Sequence, residues 1–134
     1  MNSNAFIRKL EKAISDEWTA YYFYRELKSK TNNPLYVEFI EHAKKDEKEH
    51  YEMFQYLHYL LTGEYYEHKK EKVEFATFKE GVLKALKDEL EAAEFYRDML
   101  FELPSQQAYQ PLFIAMTDEM EHSTRFSTIY NSLK

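Results

Sequence analysis

The chain has 134 residues and a net charge of −6, with 18 Lys and Arg against 24 Asp and Glu. Having no Cys, it can form no disulfide, thiolate ligand, Cys nucleophile or iron–sulfur or rubredoxin-type centre, and its acidic balance without a basic stripe argues against nucleic acid. Two Gly and three Pro among many Glu, Lys, Leu, Ala and aromatic residues suit long helices with few turns, in a single domain over 1–134.

No apolar run approaches the length of a membrane span, and Met1 to Leu10 is polar and charged, unlike a signal peptide. The expectation is a cytoplasmic protein with no membrane partner. Phe6, Leu10, Ala13, Ile14, Glu17, Ala20, Tyr21, Tyr24 and Leu27 recur at spacings of three and four, predicting a helix from Asn4 to about Lys30 with Glu17 inside its apolar face. Asn33-Pro34 reads as an N-cap followed by the first helical position, and the second helix runs to Thr62, ended by Gly63. Its inner stripe holds Leu35, Phe39, Ile40, Ala43, Glu47, His50, Phe54, Leu57 and Leu61. Residues 63–74 show no period and read as a connection.

A third helix is predicted from about Phe75 to Glu102, with Leu83, Leu86, Leu90, Glu91, Glu94, Asp98 and Phe101 on or near one face. Leu103-Pro104-Ser105 breaks it. The fourth helix, starting at Ser105 or near Pro111, reaches about Ser132 through Leu112, Ala115, Met116, Glu119, His122, Phe126 and Ile129. The expected fold is therefore all-α: hairpin 4–62, linker 63–74, hairpin 75–133, in a four-helix bundle.

Asp46-Glu47-Lys48-Glu49-His50 on the second helix returns as Asp118-Glu119-Met120-Glu121-His122 on the fourth. Each copy contains Glu-x-x-His, which puts a carboxylate and an imidazole one turn apart on one helix face, where both can reach one metal ion. Glu17, Glu47, Glu91, Glu94 and Glu119, with His50 and His122, fall on the predicted inward faces at about mid-height. Burying even one unpaired carboxylate costs several kcal/mol, and two divalent cations would remove that cost for the group. Oxygen-rich ligation with two imidazoles and no thiolate favours two iron ions, with manganese or another divalent metal as the alternative, over structural zinc. Asp46 and Asp118, each preceding a candidate ligand Glu, are candidate acceptors for the second ring N–H of a motif His, or else surface residues. His42, His58 and His68 read as ordinary helix and loop residues.

One Glu from each of two helices with Glu-x-x-His from the other two resembles the ferritin-like ligand set. Within that group, Glu91-Ala92-Ala93-Glu94-Phe95-Tyr96, Glu47-Lys48-Glu49-His50 and Glu119-Met120-Glu121-His122-Ser123-Thr124-Arg125-Phe126 resemble rubrerythrin. The resemblance implies a ferritin-like four-helix bundle with a crossover linker. It also implies a non-haem diiron centre that reduces hydrogen peroxide, with ferroxidase or iron binding as the alternative and dioxygen as the other oxidant. Glu94 would exchange with His50 on one iron as the oxidation state changes, and Tyr24 would stand near the irons. Many rubrerythrins carry a Cys-rich rubredoxin domain, which this chain lacks, so electrons would come from a separate donor protein. A long, nearly taut linker further suggests a homodimer, with exchange of hairpins between chains as one form of it.

Overall fold

The computed structural model describes residues 3–134; Met1 and Asn2, at the start of the polar amino-terminal stretch, lie outside it. The described residues form helices α1 (Ser3–Lys28), α2 (Pro34–Thr62), α3 (Phe78–Leu100) and α4 (Tyr109–Ser132), with a 3-10 turn at Gln106–Ala108 leading into α4. Asn33 caps α2 by accepting from the backbone N–H groups of Leu35 (3.0 Å) and Tyr36 (3.2 Å), Pro34 takes the first position, and Gly63 closes the helix at φ 87°. Pro111 falls within the first turn of α4, where its missing N–H removes no helical bond. Among the described residues no helix is long and apolar enough to cross a membrane.

Long-range pairings fix the helix directions. Lys28 meets Glu41 and Glu11 meets His58, so α1 and α2 are antiparallel. Lys9 with Glu102 and Tyr24 with Glu89 make α1 and α3 antiparallel, while Tyr36 with Ser132 and His50 with Asp118 do the same for α2 and α4. Thus α2 and α3 run the same way, and the connection between them must travel the length of the bundle.

That connection is residues 63–77, three residues longer than the sequence pattern suggests, because α3 begins at Phe78 and not at Phe75. Thr77 caps α3 through the Glu80 N–H (3.1 Å), and Phe75 instead turns onto the Phe23 ring with centroids 5.3 Å apart. Gly81 makes room for this: a Cβ there would lie 2.7 Å from Leu27 Cδ1 and 3.0 Å from the Phe75 ring. Along its course the connection is tied to α2. His58 Nδ1 donates to the Glu64 carbonyl (2.6 Å), Gln55 bonds both backbone groups of Tyr66, and His68 Nε2 sits 2.7 Å from the Tyr51 hydroxyl. His58 and His68 thus fasten the crossover.

Two apolar layers fill the core. Phe6, Leu10, Phe54, Leu57, Met99 and Leu112 pack toward one end, and Phe23, Leu27, Ile40, Val82, Phe126 and Ile129 toward the other. Between them lies a layer of buried charge.

Candidate metal centre

Each helix sends polar side chains into that middle layer: Glu17 from α1, Glu47 and His50 from α2, Glu89 from α3, and Glu119 and His122 from α4. All six are at most 2% exposed. They form two overlapping groups, Glu17, Glu47, His50 and Glu119, and Glu47, Glu89, Glu119 and His122, with the candidate ligand atoms of each group within 4.8 Å of one another. Glu47 and Glu119 belong to both groups.

His50 Nδ1 faces Glu17 Oε2 at 3.3 Å, Glu119 Oε1 at 3.5 Å and Glu47 Oε1 at 3.6 Å. His122 Nδ1 faces Glu89 Oε2 at 3.1 Å, with Glu47 Oε1 and Glu119 Oε1 both at 3.2 Å. The other ring nitrogens turn outward, His50 Nε2 to Asp118 (2.7 Å) and His122 Nε2 to Asp46 (2.8 Å). Each Asp thus serves the imidazole of the opposite motif. An acceptor on Nε2 keeps the proton there and leaves the Nδ1 lone pair pointing inward. On the outer side of Asp46, His42 Nε2 lies 3.3 Å from its carboxylate and 3.4 Å from that of Glu121. Tyrosines complete the layer: the Tyr24 hydroxyl donates to Glu89, and the Tyr96 hydroxyl donates to Glu17.

The donor set fits a pair of divalent cations. Oε1 of Glu47 and Oε1 of Glu119 are buried with no hydrogen-bond partner, an arrangement that is costly unless something else fills their lone pairs. Electrostatics agree. Burial, then the charges of Glu17 and Glu89, push Glu47 well above the ordinary carboxylate range; burial, then Glu47, Glu89 and Glu17, do the same to Glu119. Burial opposes charge on His50, but Glu17 beside it and its bond to Asp118 raise it well above the usual imidazole value. His122 is likewise raised, its bond to Asp46 and the facing carboxylates of Glu119, Glu47 and Glu89 outweighing burial. Burial, followed by Glu89 or Glu17 respectively, raises Tyr24 and Tyr96, so both phenols stay protonated.

Of the residues singled out in the sequence, the structure brings together Glu17, Glu47, His50, Glu119, His122 and Tyr24, but neither Glu91 nor Glu94. Both are exposed, and the α3 carboxylate in the layer is Glu89. The buried stripe of α3 is Val82, Ala85, Glu89, Ala93, Tyr96 and Met99. At 100° per residue, Glu91 points about 160° and Glu94 about 140° away from Glu89. The expected exchange of His50 for Glu94, and with it a catalytic role for Glu94, therefore has no geometric basis. The apolar residues that suggested the other face, Leu90 and Phe101, are 50% and 78% exposed.

A stronger signal was present. Glu47 and His50 recur as Glu119 and His122, an offset of 72 positions (119 − 47), and the same offset carries Glu17 to Glu89 and Tyr24 to Tyr96. It also aligns Lys12-Ala13-Ile14-Ser15-Asp16-Glu17 with Lys84-Ala85-Leu86-Lys87-Asp88-Glu89. The repeat extends over both hairpins, and following it through α3 selects Glu89.

No family model matches the chain. The uncharacterized protein YhjR of Bacillus subtilis is 31% identical over 120 residues, covering 90% of this chain and 83% of YhjR. Two solved structures share the fold, each with a TM-score of 0.82: a hypothetical protein from Pyrococcus furiosus, 20% identical over 94% of this chain and 88% of its own, and the conserved hypothetical protein rv2844 from Mycobacterium tuberculosis, 13% identical over 100% and 96%.

Two predictions follow from the layer. If the layer holds divalent metal, Glu89→Ala should lower the iron taken up per chain by about half, whereas Glu94→Ala should leave it unchanged; elemental analysis of protein loaded without oxygen reads both, and the reverse pattern would refute the assignment. The second concerns pH. Glu47, Glu119, His50 and His122 all have raised values when folded, so their contribution to stability is complete below the unfolded values and is lost as pH rises. Metal-free protein should melt at lower temperature as pH goes from about 5 to about 9. The stabilisation added by manganese should instead grow over that range, since metal displaces protons from these groups. Calorimetry with and without the ion checks both slopes; parallel slopes would contradict the site.

Proposed function

The chain belongs to the family of Bacillus subtilis YhjR, and from its core we propose that it is a ferritin-like, rubrerythrin-like diiron protein that reduces hydrogen peroxide with electrons from a separate donor protein. The observation that carries this reading is the pair of buried carboxylate oxygens on Glu47 and Glu119 that accept no hydrogen bond, on residues shared between two Glu/His groups. One iron would be held by Glu17 and His50 and the other by Glu89 and His122, with Glu47 and Glu119 common to both. Two ferrous ions held there would supply the two electrons that cleaving an O–O bond requires.

The protein's own residues do the rest. Asp118 and Asp46 hold the Nε2 protons of His50 and His122, orienting both rings. Tyr24 and Tyr96 keep a proton on each phenolic oxygen beside Glu89 and Glu17, available to a substrate oxygen arriving at those carboxylates. The apolar layers above and below keep bulk water from the centre. Between α1 and α3 a cavity of about 420 Å³ reaches Glu17, Glu47, Glu89 and Glu119, and it is the route by which peroxide would enter.

The second reading, in which ferrous iron is itself the substrate to be oxidised or stored, is favoured by the acidic side chains Asp16, Glu71, Asp88 and Glu91 lining the same cavity. We also propose a homodimer, directly packed or with exchanged hairpins. The exposed apolar residues Tyr56 and Leu60 of α2 and Tyr109 and Phe113 of α4 support it.

Protein loaded with two ferrous ions without oxygen and mixed rapidly with peroxide or with air separates the two functions. Much faster oxidation by peroxide is expected. Comparable oxidation by air with continued uptake beyond two irons per chain would support iron handling instead, and failure to bind metal would refute both. Light scattering on the same sample should give a dimer; the monomer mass of 16.3 kDa would contradict it.

A further inference from the structure

The cavity between α1 and α3 is much larger than hydrogen peroxide requires. Its volume of about 420 Å³ is more than ten times the ~30 Å³ that one water occupies in the liquid, and lies in the range of sites for small organic molecules. Part of it is the space among the four carboxylates. The remainder extends outward past Ala20, Phe23, Val73, Ala92 and Phe95, whose side chains offer it an apolar wall. Small residues at 20 and 92 keep the passage wide, and the two Phe fall at matching positions of the 72-residue repeat.

The rim excludes one class of occupant. Its cations are already engaged, Lys12 with Asp16 at 2.5 Å and Lys84 with Asp88 at 3.0 Å, while Glu71 and Glu91 add further negative charge. An anion such as a fatty-acid carboxylate would meet repulsion and no free cation. A neutral molecule with an apolar body would not.

We propose that the site accepts neutral organic hydroperoxides, with the apolar body between Phe23 and Phe95 and the –O–O–H end at the carboxylate layer. This deepens the peroxide-reducing reading and rests on it. The O–O bond of R–O–O–H breaks, two electrons and two protons are taken up, and R–OH and water leave. The electrons would be supplied by two ferrous ions held by Glu17, Glu47, His50, Glu89, Glu119 and His122, and an external one-electron carrier protein would replace them.

The first test needs no metal. Cumyl alcohol, the product from cumene hydroperoxide, titrated into metal-free protein should shift the NMR signals of the Ala20, Ala92 and Val73 methyl groups and the Phe23 and Phe95 rings. No shift at millimolar concentration would overturn the proposal. Ala92→Phe, with Ala20→Leu as a milder second variant, should abolish or weaken those shifts; unchanged shifts in a folded variant would overturn it as well. In ferrous-loaded protein, cumene hydroperoxide should oxidise the centre, and Ala92→Phe should slow that reaction at least about tenfold more than the reaction with hydrogen peroxide. Oxidation by hydrogen peroxide but not by cumene hydroperoxide would reject the organic substrate and leave the peroxide reading intact. Oxidation by neither would reject both.

Discussion

Four carboxylates inside one helical bundle are the constraint on which the rest of this structure depends. Two unit charges 4 Å apart repel by about 4 kcal/mol at the effective dielectric of a protein site, and several such pairs meet here. Lys or Arg could relieve the repulsion, but among the described residues no Lys or Arg is buried with Glu17, Glu47, Glu89 and Glu119. Without cations the remaining relief is protonation, which is why Glu47, Glu119 and both imidazoles are driven to retain protons. Two divalent ions would answer the charge and the orphaned Oε1 atoms together.

The internal repeat turns this arrangement into a link between the hairpins. Asp46 of the first hairpin holds His122 of the second, and Asp118 of the second holds His50 of the first. On the opposite side Tyr24 reaches across to Glu89, and Tyr96 back to Glu17. These four hydrogen bonds all span the two halves, so each hairpin completes the polar layer of the other. The crossover, fastened by His58, Gln55 and His68, brings α3 in parallel to α2 and so presents Glu89 at the level of Glu17.

Much of this was legible in the sequence, and the exceptions have a physical origin. Helices α1, α2 and α4 each carry a nearly continuous apolar stripe with the functional residue inside it, so their phases could be read directly. Asn33, Pro34 and Gly63 then bounded α2, each by its own backbone chemistry. Helix α3 differs. Its buried face uses Gly81, Ala85 and Ala93, while larger Leu90 and Phe101 face outward, so bulk hydrophobicity points to the wrong side. The resemblance of Glu91-Ala92-Ala93-Glu94 to a known motif points to the same side. Local pattern could not choose between Glu89 and Glu91; the offset of 72 could, because a duplicated fold places corresponding residues at corresponding depths. The start of α3 was hidden for a related reason, since Phe75 continues an apolar pattern while packing as part of the crossover.

On the proposed reading Glu47 and Glu119 would be common ligands of a metal pair. X-ray absorption at the iron edge, on protein loaded to saturation without oxygen, tests it most directly. Two irons per chain are expected, with nitrogen and oxygen neighbours, about one imidazole per iron and an iron–iron vector of about 3.5–4 Å. A saturating load of one iron, or two with no iron–iron vector, would contradict it.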